Sequence, residues 1–403
     1  MAVAAVVVLV AAWGPAGIAS ADITYAPYEV IDLARPGDGL IDVADPHVIK
    51  VGDTWFLYGT SSGAGLEVWS STDLASWAYG GLVWQPTPAS WNDNGSFWAP
   101  DVVETPDGYY LYYTASGRIG VARSASPLGP FVDLLDHPLV GGGYGGVGDG
   151  VYVGTPSSPD PLLDLDEHAI DAFLLRASDG SLTLYFSNSE PVPVISALRM
   201  ADYSTPLDAA PTVLVEAQVN GWEGVVREGP WVVEHGGMFH LMYSGNMANT
   251  TCYGVGDALG PTPLGPFTRR ADNPILHDDP AVGFYGPGHH SIVEGATGDL
   301  LMFFHTKNEY AVGWPRRVRY APVSFDQAGQ LRFDVAPPGD SSPGHSSCAP
   351  ATTTTTTAPP ASGSTPSTTA ASPGTSQRSG SVSGAATGAA SARASVAVPR
   401  FTG

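Results

Sequence analysis

Five ionisable residues, Asp45, Asp101, Asp171, Glu228 and His289, each stand twelve to fifteen residues ahead of an aromatic side chain in a short β-prone run. The aromatics are Tyr58, Tyr113, Phe186, Tyr243 and Phe304, within "WFLYGTS", "YYLYYTAS", "LTLYFSNS", "FHLMYSGN" and "LLMFFHTK". One such residue would only mark a turn or a strand start. Five in register are harder to dismiss, because clustered like charges destabilise a fold unless something uses them. Three chemistries suit carboxyls and an imidazole gathered among aromatics. Glycoside hydrolysis needs one protonated and one ionised carboxyl, roughly 6.5–9.5 Å apart if a water is to enter between them. Calcium binding uses carboxylates and carbonyls. Sugar binding without turnover needs the same polar groups and stacking surfaces.

The elements that must position these residues are repeated strands. Each aromatic run is followed by further strand material, as in "GLEVWSST", "IGVARSAS" and "RRVRYAPVSFD", and "PLGPF" occurs twice, at residues 127–131 and 263–267. Similar strand-rich units at this spacing predict the blades of a β-propeller, and five repeats predict five blades. The intervals exceed those of a WD40 blade, and no Gly-His…Trp-Asp signature recurs. In such a fold the ionisable residues lie on or just before the innermost strand of each blade, so they converge on the axis.

Composition agrees with an all-β chain. Of 403 residues, 49 are Gly and 36 are Pro, 10% are aromatic and only 14% are charged, a mixture of turn formers and strand formers. The net charge of −22 would repel phosphate backbones and anionic lipid, which argues against nucleic acid and membrane surfaces as partners. A neutral ligand is the better expectation.

The ends differ from the middle. Residues 1–21, "MAVAAVVVLVAAWGPAGIASA", form an apolar run closed by Ala19-Ser20-Ala21. The run lacks a basic start, yet reads as a secretory signal and is too short for a comfortable membrane span. The β domain is placed at 22–340. Residues 341–403 are rich in Thr, Ser, Ala, Pro and Gly and read as a disordered, glycosylation-prone tail. Cys252 and Cys348, the only cysteines, could pair in an oxidising compartment or remain free. A secreted monomer is expected.

Other catalytic arrangements are missing. There is no Gly-x-Ser-x-Gly elbow, no His-Glu-x-x-His, and no cysteine cluster. "GGGYGGVGDG" at 141–150 does not stand between a strand and a helix as a phosphate loop must.

"DPHVIKVGDTWFLYGTS", "FWAPDVVETPDGYYLYYTAS", "AIDAFLLRASDGSLTLYFSN", "EGPWVVEHGGMFHLMYSGN" and "GPGHHSIVE" resemble the blade signatures of glycoside hydrolase family 43. The resemblance covers about residues 40–335. It implies a five-bladed propeller that cleaves arabinan, arabinoxylan or xylan with inversion. Asp45 would be the general base, Glu228 the general acid, and Asp171 the residue that tunes and orients the acid. Asp101 would shape the sugar subsite. Phe97 and Trp98 could stack on the sugar or pack within a blade. His289 matches a histidine that sits beside a channel metal, often Ca²⁺, held largely through water; His290 is its competitor.

Two departures bear on this reading. Ala172 stands where the family pattern has Pro after the aspartate, so the backbone there is less constrained. Asp164, Asp166 and Glu167 lie just ahead of Asp171 and compete with it by motif, whereas the repeat phase favours Asp171. "WND" at 91–93 is similar to the nucleophile motif of fructan-cleaving propellers, but it precedes the second repeat and lacks their Arg-Asp-Pro, so it is set aside. The "EGP…YSGN" and "GPGHHS" signatures look more like the exo-acting α-L-arabinofuranosidases and β-xylosidases than the endo-arabinanases; an α-L-arabinofuranosidase is expected, with a β-xylosidase, an endo-arabinanase and a non-catalytic sugar-binding propeller as the alternatives.

Overall fold

In the computed structural model the described residues are 27–337, apart from 94, 142–168, 189–192, 217, 219–220, 225 and 309–314. The proposed signal segment, the tail, Cys348, Asp164, Asp166 and Glu167 lie outside them.

Five four-stranded antiparallel sheets follow one another along the chain, each a simple meander. The inner strands are Ala44–Val51, Phe97–Thr105, Ala169–Arg176, Arg227–His235 and Tyr285–Glu294. Each packs against the inner strand of the next sheet, and the fifth against the first, which closes the ring. The five-bladed propeller expected from the repeats is the observed fold.

The second and third strands of each blade are nearly continuous buried runs. In Thr54–Ser62 the five residues Trp55–Gly59 are all buried. An exposed sheet would alternate apolar and polar residues; a blade is covered on both faces by its neighbours, so both faces are apolar. Five apolar clusters accordingly fill the spaces between adjacent blades.

Polar bolts add register. Tyr58 Oη donates to the Pro127 carbonyl at 2.7 Å, and Tyr185 Oη to that of Pro263 at 2.6 Å, so each "PLGPF" loop locks to the blade before it. The ring is also tied by the N-terminal segment, where the N–H groups of Tyr28 and Ile31 donate to the carbonyls of Tyr320 and Val318 at 2.9 Å. Cys252 is disulfide-bonded. Among the described residues no helix is long and apolar enough to cross a membrane.

Candidate active site

Every inner strand carries a register break at the same place: between Ala44 and His47, Trp98 and Asp101, Ile170 and Phe173, Glu228 and Trp231, and Gly288 and Ser291. The residue at the break has positive φ in all five blades: Asp45 (50°), Ala99 (45°), Asp171 (59°), Gly229 (56°) and His289 (46°). A bulge with a left-handed residue bends a strand and re-aims its side chains. Except at glycine this conformation is strained, and here it turns Asp45, Asp171 and His289 towards one another on the axis.

The bulge also corrects the repeat phase. Asp101 lies two residues beyond the break and Glu228 one before it, so neither is equivalent to the other three. Gly229-Pro230 forms the bulge within the strand Arg227–His235. Asp101 is buried lower in the channel, where Oδ2 accepts from the Leu174 N–H at 2.9 Å and Oδ1 lies 3.0 Å from His47 Nδ1. Phe97 is 2% exposed and packs edge-on against Trp84 between blades, so it does not face a ligand. Trp98 keeps partial exposure at the position that corresponds to Glu228.

Residues just after the second-strand aromatics hold the bulges. Thr60 Oγ1 accepts from the Ala99 N–H at 2.9 Å, Thr114 Oγ1 from Asp171 at 3.0 Å, Ser244 Oγ from His289 at 2.7 Å, and His305 Nδ1 from Asp45 at 3.2 Å. Each bond runs from one blade to the next. The fourth bulge departs from the pattern: Ser187 Oγ donates to the Arg227 carbonyl at 2.5 Å, and the Gly229 N–H donates to Asp171 Oδ2 at 3.1 Å. A Cβ at Gly229 would lie 3.1 Å from the His289 ring, so glycine also permits this close approach.

The three carboxyls then diverge in character. Asp45 is 8% exposed. Burial opposes its charge, but His289, Arg316 and the Thr60 hydroxyl outweigh burial and hold its pKa below the usual range. His289 Nδ1 lies 3.2 Å from Oδ1, Arg316 Nη1 3.5 Å from Oδ1, and Thr60 Oγ1 donates to Oδ2 at 2.6 Å. Asp171, 6% exposed, is pushed up by burial and then by the nearby Glu228 and Asp45 carboxyls, against the Gly229 N–H. Glu228 is pushed up to about 7, chiefly by burial and also by Asp45, against the Tyr253 hydroxyl, Arg316 and Lys307. Two carboxyls in one buried site cannot both ionise freely, so near neutrality the Asp171–Glu228 pair retains a proton while Asp45 is charged.

Tyr253, Arg316, His305 and Lys307 were not singled out from sequence. His305 occupies the post-aromatic position held elsewhere by Thr114, Ser187 and Ser244, a signal the repeats contain. The others come from loop and strand positions with no local motif. No group of three or more His, Cys, Asp or Glu side chains among the described residues is arranged to hold a metal, and His289 Nδ1 faces Asp45.

Five blades with three unlike carboxyls at one end of the axis define a propeller hydrolase of glycosidic bonds. Residues 40–331 match the family described as glycosyl hydrolases family 43. The chain belongs to that family and is a glycoside hydrolase. It is 27% identical over 313 residues to a β-D-galactofuranosidase of Aspergillus niger, covering 72% of this chain and 81% of that protein. It is 34% identical over 103 residues to an extracellular exo-α-1,5-L-arabinofuranosidase of Cellvibrio japonicus, covering 24% and 28% of the two chains. A thermostable family-43 glycoside hydrolase of known structure superposes with TM-score 0.63 at 27% identity, covering 79% of this chain and 98% of that one.

Proposed function

We propose that this chain is a secreted, inverting α-L-arabinofuranosidase that removes terminal arabinofuranose from arabinose-containing plant glycans. The observation that carries the mechanism is the split among the axial carboxyls: Asp45 is held ionised by His289, Arg316 and Thr60, while Glu228 is pushed up to about 7. Asp45 is the base. It takes a proton from water as the water oxygen attacks the anomeric carbon. Glu228 is the acid. Its proton passes to the glycosidic oxygen, which leaves with the electron pair of the breaking C–O bond. The sugar configuration inverts in this single displacement. Asp171 acts through Glu228: it fixes the Gly229 N–H that follows the acid and keeps a proton in the pair. Trp98, partly exposed, offers a face for the sugar.

The sugar preference rests on the relatives. β-D-Galactofuranose has the ring configuration of α-L-arabinofuranose with one further exocyclic carbon, so the two named relatives share a furanose geometry. Secretion is supported by the apolar N-terminal run and the extracellular relative. A channel calcium would be held through water beside His289. The test is hydrolysis of methyl α-L-arabinofuranoside and methyl β-D-xyloside, whose leaving groups need the acid, by the parent and by Glu228→Gln. Preferred cleavage of the arabinofuranoside, lost in the variant, is expected. Preference for the xyloside would move the chain to the β-xylosidases, and full activity in Glu228→Gln would overturn the assignment of the acid.

A further inference from the structure

Tyr253 is fully buried and its hydroxyl donates to Glu228 Oε1 at 2.7 Å. Burial, followed by the charges of Glu228, Asp45 and Asp171, pushes the phenol far above its ordinary range. It therefore stays protonated and acts as a donor. An oxygen that accepts from a permanent donor is a poor place for the acid's own proton.

The ring is held firmly. His305 stacks against it with centroids 5.6 Å apart and planes inclined by 10°. Lys307 Nζ lies 5.2 Å from the ring centroid, within reach of a cation–π attraction. Gly288 makes room: a Cβ there would come within 2.2 Å of the ring. His305 also accepts the Asp45 N–H at 3.2 Å, so the second strand of the last blade, Leu300–Lys307, touches both the base and the holder of the acid. Lys307 itself is 1% exposed and donates to the Gly286 carbonyl at 3.2 Å; burial, then Arg316, pushes its pKa down to about 7, so it is only partly charged near neutrality.

We propose that Tyr253 is a positioning residue for the acid: by occupying Oε1 of Glu228 it reserves Oε2 as the oxygen that carries and delivers the proton, and His305 and Lys307 hold Tyr253 in that place. This rests on the reading of Glu228 as the acid. The charged and titratable groups that act on Glu228 are Tyr253, Asp45, Arg316 and Lys307, with Asp171 as its coupled neighbour. Tyr253 and Lys307 both favour the ionised form of Glu228, so removing either raises its pKa.

The test compares Tyr253→Phe, Lys307→Met and Glu228→Gln on a methyl and a dinitrophenyl α-L-arabinofuranoside. A methyl leaving group needs the acid; dinitrophenolate departs without it. Tyr253→Phe is expected to lose about 10–100-fold in kcat on the methyl glycoside, part of the effect of acid catalysis, and less than about 3-fold on the dinitrophenyl one. The alkaline limb of kcat/KM is expected to move up by about one pH unit, the size of one lost hydrogen bond to a charged group. Lys307→Met moves the limb the same way by less, and covers the case in which Tyr253→Phe fails to fold. Equal losses on both glycosides with an unmoved limb would mean mere structural damage and overturn the proposal. If Glu228→Gln itself showed no leaving-group dependence, the acid reading would fall instead.

Discussion

The backbone N–H of Gly229 donates to Asp171 Oδ2 at 3.1 Å, although the corresponding N–H in each of the other four blades is held by the second strand of the blade before it. Asp171 thus takes over a bolting bond of the fold and, through it, fixes the peptide that follows Glu228. The charges of Asp171 and Glu228 would repel one another, and this repulsion shows at Asp171, which Glu228 pushes up.

The two roles can be separated. Asp171→Asn retains an acceptor for the Gly229 N–H but removes the repulsion, so the pKa of Glu228 falls and the alkaline limb of kcat/KM moves to lower pH. Asp171→Ala also loses the bond and is expected to reduce kcat further than Asn does. pH profiles of the two variants check this; an unmoved limb in Asp171→Asn would show that the carboxyl does not tune the acid.

Stability should depend on pH through the same site. The folded-state pKa of Glu228, about 7, lies above its ordinary value of 4.5. Between these values the folded protein keeps a proton that the unfolded chain has lost, so this residue's contribution to stability falls as pH rises. Glu228→Gln escapes that loss. Its Tm should exceed the parent's by a margin that grows from pH 4.5 to 7, worth on the order of 1–3 kcal/mol. Asp45 has the opposite sign: its depressed pKa contributes stability above the ordinary value, lost as pH falls through the folded pKa. Thermal unfolding of Glu228→Gln from pH 4.5 to 7, and of Asp45→Asn below pH 3.8, reads the two slopes.

Neighbouring aromatics should part company. Phe97 lies in the cluster between the first two blades, so Phe97→Ala is expected to lose about 3–5 kcal/mol of stability. Trp98 is partly exposed, and Trp98→Ala should raise KM with little change in Tm. Equal destabilisation by the two would remove Trp98 from the sugar site.

How much of this was legible in the sequence can be argued from the same residues. The blades were readable because they are buried on both faces, which writes apolar, aromatic runs such as "WFLYGTS" and "LTLYFSNS" into every repeat. Asp45, Asp171 and His289 stand 13, 15 and 15 residues ahead of their aromatics, and all three occupy the bulge. The bulge itself was not legible: a left-handed residue leaves no mark when it is Ala99 or His289, and spacing alone does not show that Glu228, also 15 residues ahead of its aromatic, lies one residue before the bulge or that Asp101 lies two beyond it. Tyr253, Lys307 and Arg316 were missed for a different reason. They reach the site from separate strands and loops, and only the closed ring brings them to the carboxyls.

Beneath the acid, Glu223 holds the chain that carries it. Glu223 accepts from Arg227 Nε at 2.8 Å, Arg269 Nε at 2.6 Å and Tyr243 Oη at 2.6 Å, and Arg227 is fully buried. Glu223→Ala would leave a buried guanidinium without that carboxylate, a loss of about 3–5 kcal/mol. A Tm close to the parent's would show that the cluster carries little of the fourth blade's stability.

A single displacement between Asp45 and Glu228 leaves its signature in the configuration of the first sugar released. Proton NMR recorded during hydrolysis of an aryl α-L-arabinofuranoside should show β-arabinofuranose appearing first, with the α anomer growing in only by mutarotation. Release of the α anomer first would mean retention through a covalent intermediate and would contradict the roles given to both residues.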